Sequence, residues 1–320
     1  MSTAQRFGVS ELIQNYRAGT MNRWEFFQTL AYLTGSIMLA QEVMLQEGFA
    51  AEWEAYNWPE QAAQPGQQPQ GPPPPTPKES IEAGEKRLPA GVAAEWVKYK
   101  SGDIEVGGYL AKPKSGTPGG AIIVIHENRG LTEFVLDMAQ RWAGENLVAL
   151  APDLLSRLGG TQSFATTAEA GGGIGKLERP NVVLDLHATA AYLKSRSEVK
   201  GKKTGLTGFC WGGGNTFNFI TESKEIAFAM PFYGPPPPLE KAESIVCAIN
   251  AVFAENDQRV NQNVEAFAAK MKELGKPFAY KMYPGTQHAF MNFTSPQRYN
   301  AEQAKAAWED VRAFAKQQVG

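Results

Sequence analysis

A chain of 320 residues, 43% of them apolar, is long enough for one large α/β domain and a small appendage. Lys and Arg number 31 against 33 Asp and Glu, and a formal charge of −2 gives no electrostatic case for nucleic acid or an anionic membrane as partner. No run of 18 apolar residues occurs, which excludes an ordinary spanning helix, and the two cysteines, Cys210 and Cys247, fall on different predicted strands, so no structural disulfide is expected.

Residues 1–58 read as a helical segment: Leu12, Ile13 and Tyr16, then Trp24, Phe27, Leu30, Leu33 and Ile37, recur at roughly helical spacing. Ala18 to Asn22 reads as a turn, and Asn22 with Glu25 as a capping box, which predicts a helical hairpin. The stretch from Asn22 to Ala40 also resembles a twin-arginine export signal. Only Arg23 is present, however, Gln28 and Thr34 interrupt the apolar run, and no cleavage signal precedes Glu42. A retained segment and a cytoplasmic location are preferred, with a periplasmic location as the alternative. The tract Pro59–Lys78 turns to Pro, Gln and Gly and predicts an extended spacer, or less readily an SH3-type ligand, so 59–80 is taken as linker and 81–320 as the main domain.

From Glu79 onward strand and helix patterns alternate. Strands are predicted at Ala94–Lys100, Ile104–Ala111, Gly120–His126, Leu147–Ala151, Lys203–Gly208, Ala227–Tyr233, Ile245–Ala254 and Ala279–Tyr283. The first two alternate apolar and polar residues, as a half-exposed antiparallel hairpin does, and the central ones are nearly continuous in Ile, Val, Ala and Leu, as buried parallel strands are. Helices are predicted at Phe134–Glu145, Asn181–Ser197, Gly213–Thr221, Asn261–Leu274 and Ala301–Gln318. The pattern predicts an α/β fold whose mostly parallel sheet of about eight strands carries helices on both faces. Leu158 to Glu178, rich in Gly, Thr and Ala, suits a mobile lid over a cleft.

In such a sheet function collects at the carboxyl ends of the strands. Lys202 to Phe219 reads as a strand that breaks at Cys210 and restarts as a helix, and Gly208-Phe209-Cys210-Trp211-Gly212 fits the G-x-nucleophile-x-G elbow of α/β-hydrolases. The glycines let strand and helix close on a strained nucleophile, and the helix N-terminus favours negative charge on the sulfur. A buried free cysteine beside a glycine-rich turn is the plain alternative. Asp257 and His288 each follow a later strand, so nucleophile, acid and histidine stand in α/β-hydrolase order. A thiol needs an imidazole to take its proton, and the carboxylate fixes the imidazole tautomer. Glu255 could replace Asp257, although the loop position favours Asp257. His187, inside a predicted helix, reads as a surface or packing residue, and His126, at a strand end, as structural support. Asp153, Asp185 and His187 do not form a metal-ligand cluster, and no metal or other cofactor is expected.

The stretches His126-Glu127-Asn128-Arg129-Gly130-Leu131, Ala151-Pro152-Asp153-Leu154, Gly208 to Gly213, Ala254 to Asp257, and Tyr283 to Phe290 occur in this order across the domain from about Arg87 to Gln318, which resembles the dienelactone hydrolase family of α/β-hydrolases. The resemblance implies a Cys210–His288–Asp257 triad. It also implies that Glu127 pairs with the resting thiol and assists its deprotonation, and that the backbone N–H groups of Asn128 and Trp211 form an oxyanion hole. On physical grounds a charged carboxylate beside a thiol favours a neutral, oxidation-resistant Cys–SH. The implied activity is hydrolysis of small esters or lactones, of carboxymethylenebutenolidase type, through an acyl thioester. Dienelactone-cleaving members carry an arginine four positions after the histidine, where Asn292 stands here. Asn292, Phe290 and Arg129 are the candidates for substrate contact, with Arg157 also near the expected mouth. The alternative is a hydrolase fold of low activity whose N-terminal helices serve docking or homo-oligomerisation.

Overall fold

In the computed structural model of the chain, residues 3–18, 26, 29–30, 43–44, 46–47, 49 and 75–319 are described. The chain divides into two units, Met1–Pro74 and Pro75–Gly320. In the first, α1 (Thr3–Arg17) buries Val9, Leu12 and Ile13 in a cluster with Phe26, Leu30 and Phe49, and Tyr16 stacks on Phe26 at 4.3 Å. Most of the rest of the expected hairpin, the Asn22–Glu25 cap, the export-like stretch and the Pro/Gln tract up to Pro74 lie outside the described residues.

The second unit opens with α2 (Pro77–Lys86), which begins inside the tract read as linker from the sequence. Thr76 caps it: its hydroxyl accepts from the Glu79 N–H at 3.3 Å, while the Glu79 carboxylate accepts from the Thr76 N–H at 2.8 Å. Pro77 takes the first helical position, where no N–H donor is needed. The strands are β1 (Val92–Ser101), β2 (Ile104–Pro113), β3 (Gly120–Ile125), β4 (Leu147–Pro152), β5 (Thr204–Phe209), β6 (Phe228–Phe232), β7 (Ala248–Asn256) and β8 (Phe278–Gln287). The helices after α2 are α3 (Glu133–Gly144), α4 (Thr167–Ile174), α5 (Arg179–Ser195), α6 (Trp211–Glu222), the single turn α7 (Gln258–Asn261), α8 (Val264–Glu273) and α9 (Ala301–Val319).

The strands form one sheet of order β1-β2-β4-β3-β5-β6-β7-β8. β1 and β2 are an antiparallel hairpin, β2 runs antiparallel to β4, and every other pair is parallel. β3, β4, β5 and β6 are buried along their whole length, the two threonines of β5 included, as strands covered on both faces must be. On one face α3 and α9 bury Phe134, Trp142 and Val311; on the other α5, α6 and α8 bury Leu186, Phe217 and Phe267. Each such side chain contributes roughly 1.5–3 kcal/mol by leaving water. No helix among the described residues is long and apolar enough to cross a membrane.

Three elements differ from their sequence expectations. β8 runs on through Pro284 and Gly285 to Gln287, which an edge strand permits because proline's missing N–H faces no neighbour there. The helix expected at Asn261–Leu274 is α8, which begins three residues later at Val264, and the separate turn α7 precedes it. The stretch expected to be a weakly ordered lid contains α4, capped by the Thr166 hydroxyl, which accepts from the Glu169 N–H at 3.1 Å, and seated through Ala170 and Ile174 on Leu155.

Candidate active site

β5 delivers Cys210 at the start of α6 with φ 57° and ψ −114°, a conformation that costs a residue with a Cβ on the order of 1–3 kcal/mol. Backbone bonds hold it there: its N–H donates to the Phe232 carbonyl at 3.0 Å, and its carbonyl accepts from the Gly214 N–H at 3.1 Å. Two glycines make the approach possible, since a Cβ at Gly208 would lie 2.3 Å from the Gly212 carbonyl oxygen and one at Gly212 2.5 Å from that of His126. Gly212→Ala is expected to push α6 away from the end of β3, to cost about 2–3 kcal/mol in urea unfolding, and to slow ester turnover because the Trp211 N–H moves with the helix.

The ends of β7 and β8 bring the partners. His288 Nε2 lies 2.9 Å from Cys210 Sγ, and its Nδ1–H donates to Asp257 Oδ2 at 2.5 Å. Asp257 is buried and Tyr233 sets its ring edge against the imidazole at 5.2 Å. Burial works against the imidazolium, but the bonds to Asp257 and Cys210 outweigh it and push the His288 pKa up from 6.5 to about 9. Glu255, the alternative acid, is spent elsewhere: its carboxylate accepts from the Gly285 N–H at 2.8 Å.

Trp211 is the first residue of α6, and its N–H, like that of Asn128 after β3, has no hydrogen-bond acceptor among the described residues. His126 supports both. Its Nδ1–H donates to the Glu127 carbonyl at 2.7 Å, its Nε2 accepts from the Leu154 N–H at 3.2 Å, and its ring stacks on Trp211 at 5.3 Å. Complete burial holds its pKa down, so it acts as a neutral strut. Farther along the loop the Leu131 N–H donates to Thr161 Oγ1 at 3.0 Å, and Asp153 accepts from that hydroxyl and from the Thr161 N–H, both at 2.7 Å.

Glu127 is buried, which pushes its pKa up against the opposing hydrogen bond from Asn292. Asn292 Nδ2 donates to Glu127 Oε2 at 2.5 Å, while Oε1 has no partner among the described residues. The pairing of Glu127 with the resting thiol is therefore not the arrangement present: the sulfur faces His288 and Glu127 faces Asn292. The reason is the fixed amide, whose Oδ1 accepts from the Thr294 N–H at 2.9 Å and leaves Nδ2 aimed at the carboxyl group.

These groups open on a cavity of about 510 Å³ that Glu127, Asn128, Arg129 and Asn292 line together with Cys210, Asp257 and His288. Phe290 does not line it; the ring is buried in the core between Tyr233 and Tyr283, at 5.8 and 5.5 Å. Arg157 is also absent from the wall, being bound by two nitrogens to Asp185 at 2.9 and 2.8 Å. No lining residue comes from Leu158 to Glu178. Arg259 and Arg298 do line it and were not read from the sequence. Arg259 had a signal, two residues after Asp257 in one loop, whereas Arg298 sits in an unpatterned stretch with none.

The sequence profile of the dienelactone hydrolase family matches residues 106–319. A protein named Protein usf from Aquifex pyrophilus is 31% identical over 235 residues, covering 70% of this chain and 98% of its own. A Methylorubrum extorquens protein provisionally assigned as a carboxymethylenebutenolidase is 26% identical over 239 residues, covering 71% of this chain and 82% of its own. The fold is also that of a dienelactone hydrolase-like promiscuous phosphotriesterase from metagenomic libraries, with a TM-score of 0.63 at 19% identity over 72% of this chain and 100% of the other. A family match of that length, on a sheet and elbow of this order, places the chain in the dienelactone hydrolase family of the α/β-hydrolases, as a carboxylic ester hydrolase.

Proposed function

We propose that the chain hydrolyses small esters or lactones, in the manner of a carboxymethylenebutenolidase, with Cys210 as nucleophile and an acyl thioester as intermediate. The observation that carries this reading is the line from Cys210 Sγ to His288 Nε2 at 2.9 Å and from His288 Nδ1 to Asp257 at 2.5 Å. Sγ attacks the ester carbonyl carbon as its proton passes to Nε2, and Asp257 holds the tautomer that leaves Nε2 free to accept. The carbonyl oxygen becomes an oxyanion, to which the N–H groups of Asn128 and Trp211 donate; removing one such donor costs on the order of 3 kcal/mol. Collapse breaks the C–O bond and returns the proton from Nε2 to the departing alkoxide, which in a lactone stays tethered to the acyl chain. Water then attacks the thioester, gives its proton to Nε2, and the C–S bond breaks to release the acid and restore the thiol. Docking through residues 1–58 as the main role draws no support from a family match confined to residues 106–319.

Time-resolved mass spectrometry with p-nitrophenyl acetate and a panel of simple lactones tests the reading. An acyl adduct mapped to Cys210 that forms and then decays is the expected result. Turnover with the adduct on another residue, or none on Cys210 at any time, would remove the nucleophile assignment.

A further inference from the structure

The arginines of this protein fall into two groups. Every arginine with a described side chain outside the cavity faces a carboxylate, Arg157 on Asp185 and Arg312 on Glu145 among them. Arg129, Arg259 and Arg298 make no such close ion pair among the described residues, although Arg129 and Arg298 lie near enough to Glu127 to act on its carboxyl, and all three line the cavity that holds Cys210 and His288. They arrive from three separate segments, the loop after β3, the turn α7 after β7, and the stretch after β8. One unpaired surface arginine is ordinary; three converging on one catalytic cavity call for a ligand.

The charge balance indicates its kind. Guanidinium groups stay protonated. The carboxyl groups on the same wall are those of Glu127 and Asp257. Three guanidinium groups against two carboxyl groups leave positive charge in excess on the wall even with both carboxyls ionised. The wall is otherwise polar: apart from Cys210 and Ala289 the remaining lining is Asn, Gln and Ser, so a long aliphatic acyl chain finds no surface to bury against.

Resting on the hydrolase reading above, we propose that the substrate is a short dianionic ester or lactone, and that Arg259 and Arg298, with Arg129, hold its charges. The guanidinium fork takes carboxylate or phosphate oxygens two at a time, so the dianion is either a pair of carboxylates or one phosphate.

Titration calorimetry of full-length Cys210→Ala with acetate, succinate and inorganic phosphate, at constant ionic strength, reads binding without chemistry. Succinate or phosphate is expected to bind about tenfold or more tighter than acetate, the tighter of the two naming the anion. Arg259→Gln and Arg298→Gln in the same background are each expected to weaken that binding by about tenfold. Competitive inhibition of wild-type p-nitrophenyl acetate turnover by the same three anions repeats the comparison should Cys210→Ala fold poorly. Equal binding of the three anions, or arginine variants that bind the dianion like their parent, overturns the proposal. Ester turnover through Cys210 without anion selectivity would defeat this inference alone; selective binding without turnover would defeat the hydrolase reading and leave the anion site standing.

Discussion

Cys210→Ala is expected to lower kcat/KM for p-nitrophenyl acetate by at least about 10⁴-fold, a loss of about 5 kcal/mol of transition-state stabilisation. On the proposed thioester route, loss of the sulfur removes the covalent intermediate and leaves only binding and the N–H groups of Asn128 and Trp211 to act on the carbonyl. The comparison must be made against fold stability, because Cys210 sits at φ 57° and the elbow tolerates little change. Alanine keeps the Cβ and deletes only the sulfur, so the urea midpoint should move little while turnover collapses. A steady-state assay on the purified variant checks this, and retention of wild-type turnover would show that the sulfur of Cys210 carries no part of the reaction.

Asp257→Asn is expected to cost about 10³–10⁴-fold in kcat while leaving the backbone in place. The carboxylate does two things: it accepts the Nδ1–H, which keeps Nε2 as the acceptor facing Cys210, and its charge favours the imidazolium. An amide can do neither with certainty of tautomer, since its NH₂ can donate to Nδ1 and turn the proton onto Nε2. The same substitution carries a pH signature. The pKa of His288 is raised on folding, from 6.5 to about 9. A raised group stabilises the folded protein fully below 6.5 and loses that contribution as pH rises through about 9. Wild-type stability should therefore fall across that window, and Asp257→Asn should flatten the fall. Urea unfolding at several pH values between these limits measures it; an unchanged slope in the variant would mean that Asp257 is not what holds the imidazolium.

Much of this was legible before any coordinates. The run Ile122 to Ile125 could only be a buried strand, and a glycine on either side of Phe209-Cys210-Trp211 could only be a turn in which backbones touch. That Cys210, Asp257 and His288 meet could be expected from their order, because each follows a strand of the sheet at its carboxyl end. What escaped had physical causes. α4 contains Gly171, Gly172 and Gly173, each unfavourable in a helix by about 1 kcal/mol, and it stands only because Thr166 caps it and Ala170 and Ile174 are buried. α2 hides behind prolines that the sequence read as spacer until the Thr76–Glu79 cap closes. Phe290 is apolar and two residues from His288, and composition alone cannot tell a cavity wall from the core it in fact packs. Arg259 and Arg298 are brought together only by the parallel order of β7 and β8, a relation no periodicity encodes.

The separations along the chain have a consequence for how activity arises. Cys210 and His288 are 78 residues apart, and Glu127 and Asn292 are 165 apart. Such contacts form only after several loop-closure steps, which makes them late and slow on any folding route. A chain that has regained its helices but not the register of β5 to β8 holds Cys210 apart from His288 and Glu127 apart from Asn292. This arrangement is thus a property of the finished sheet, and no shorter piece of the second unit that omits β3 or β8 can form it.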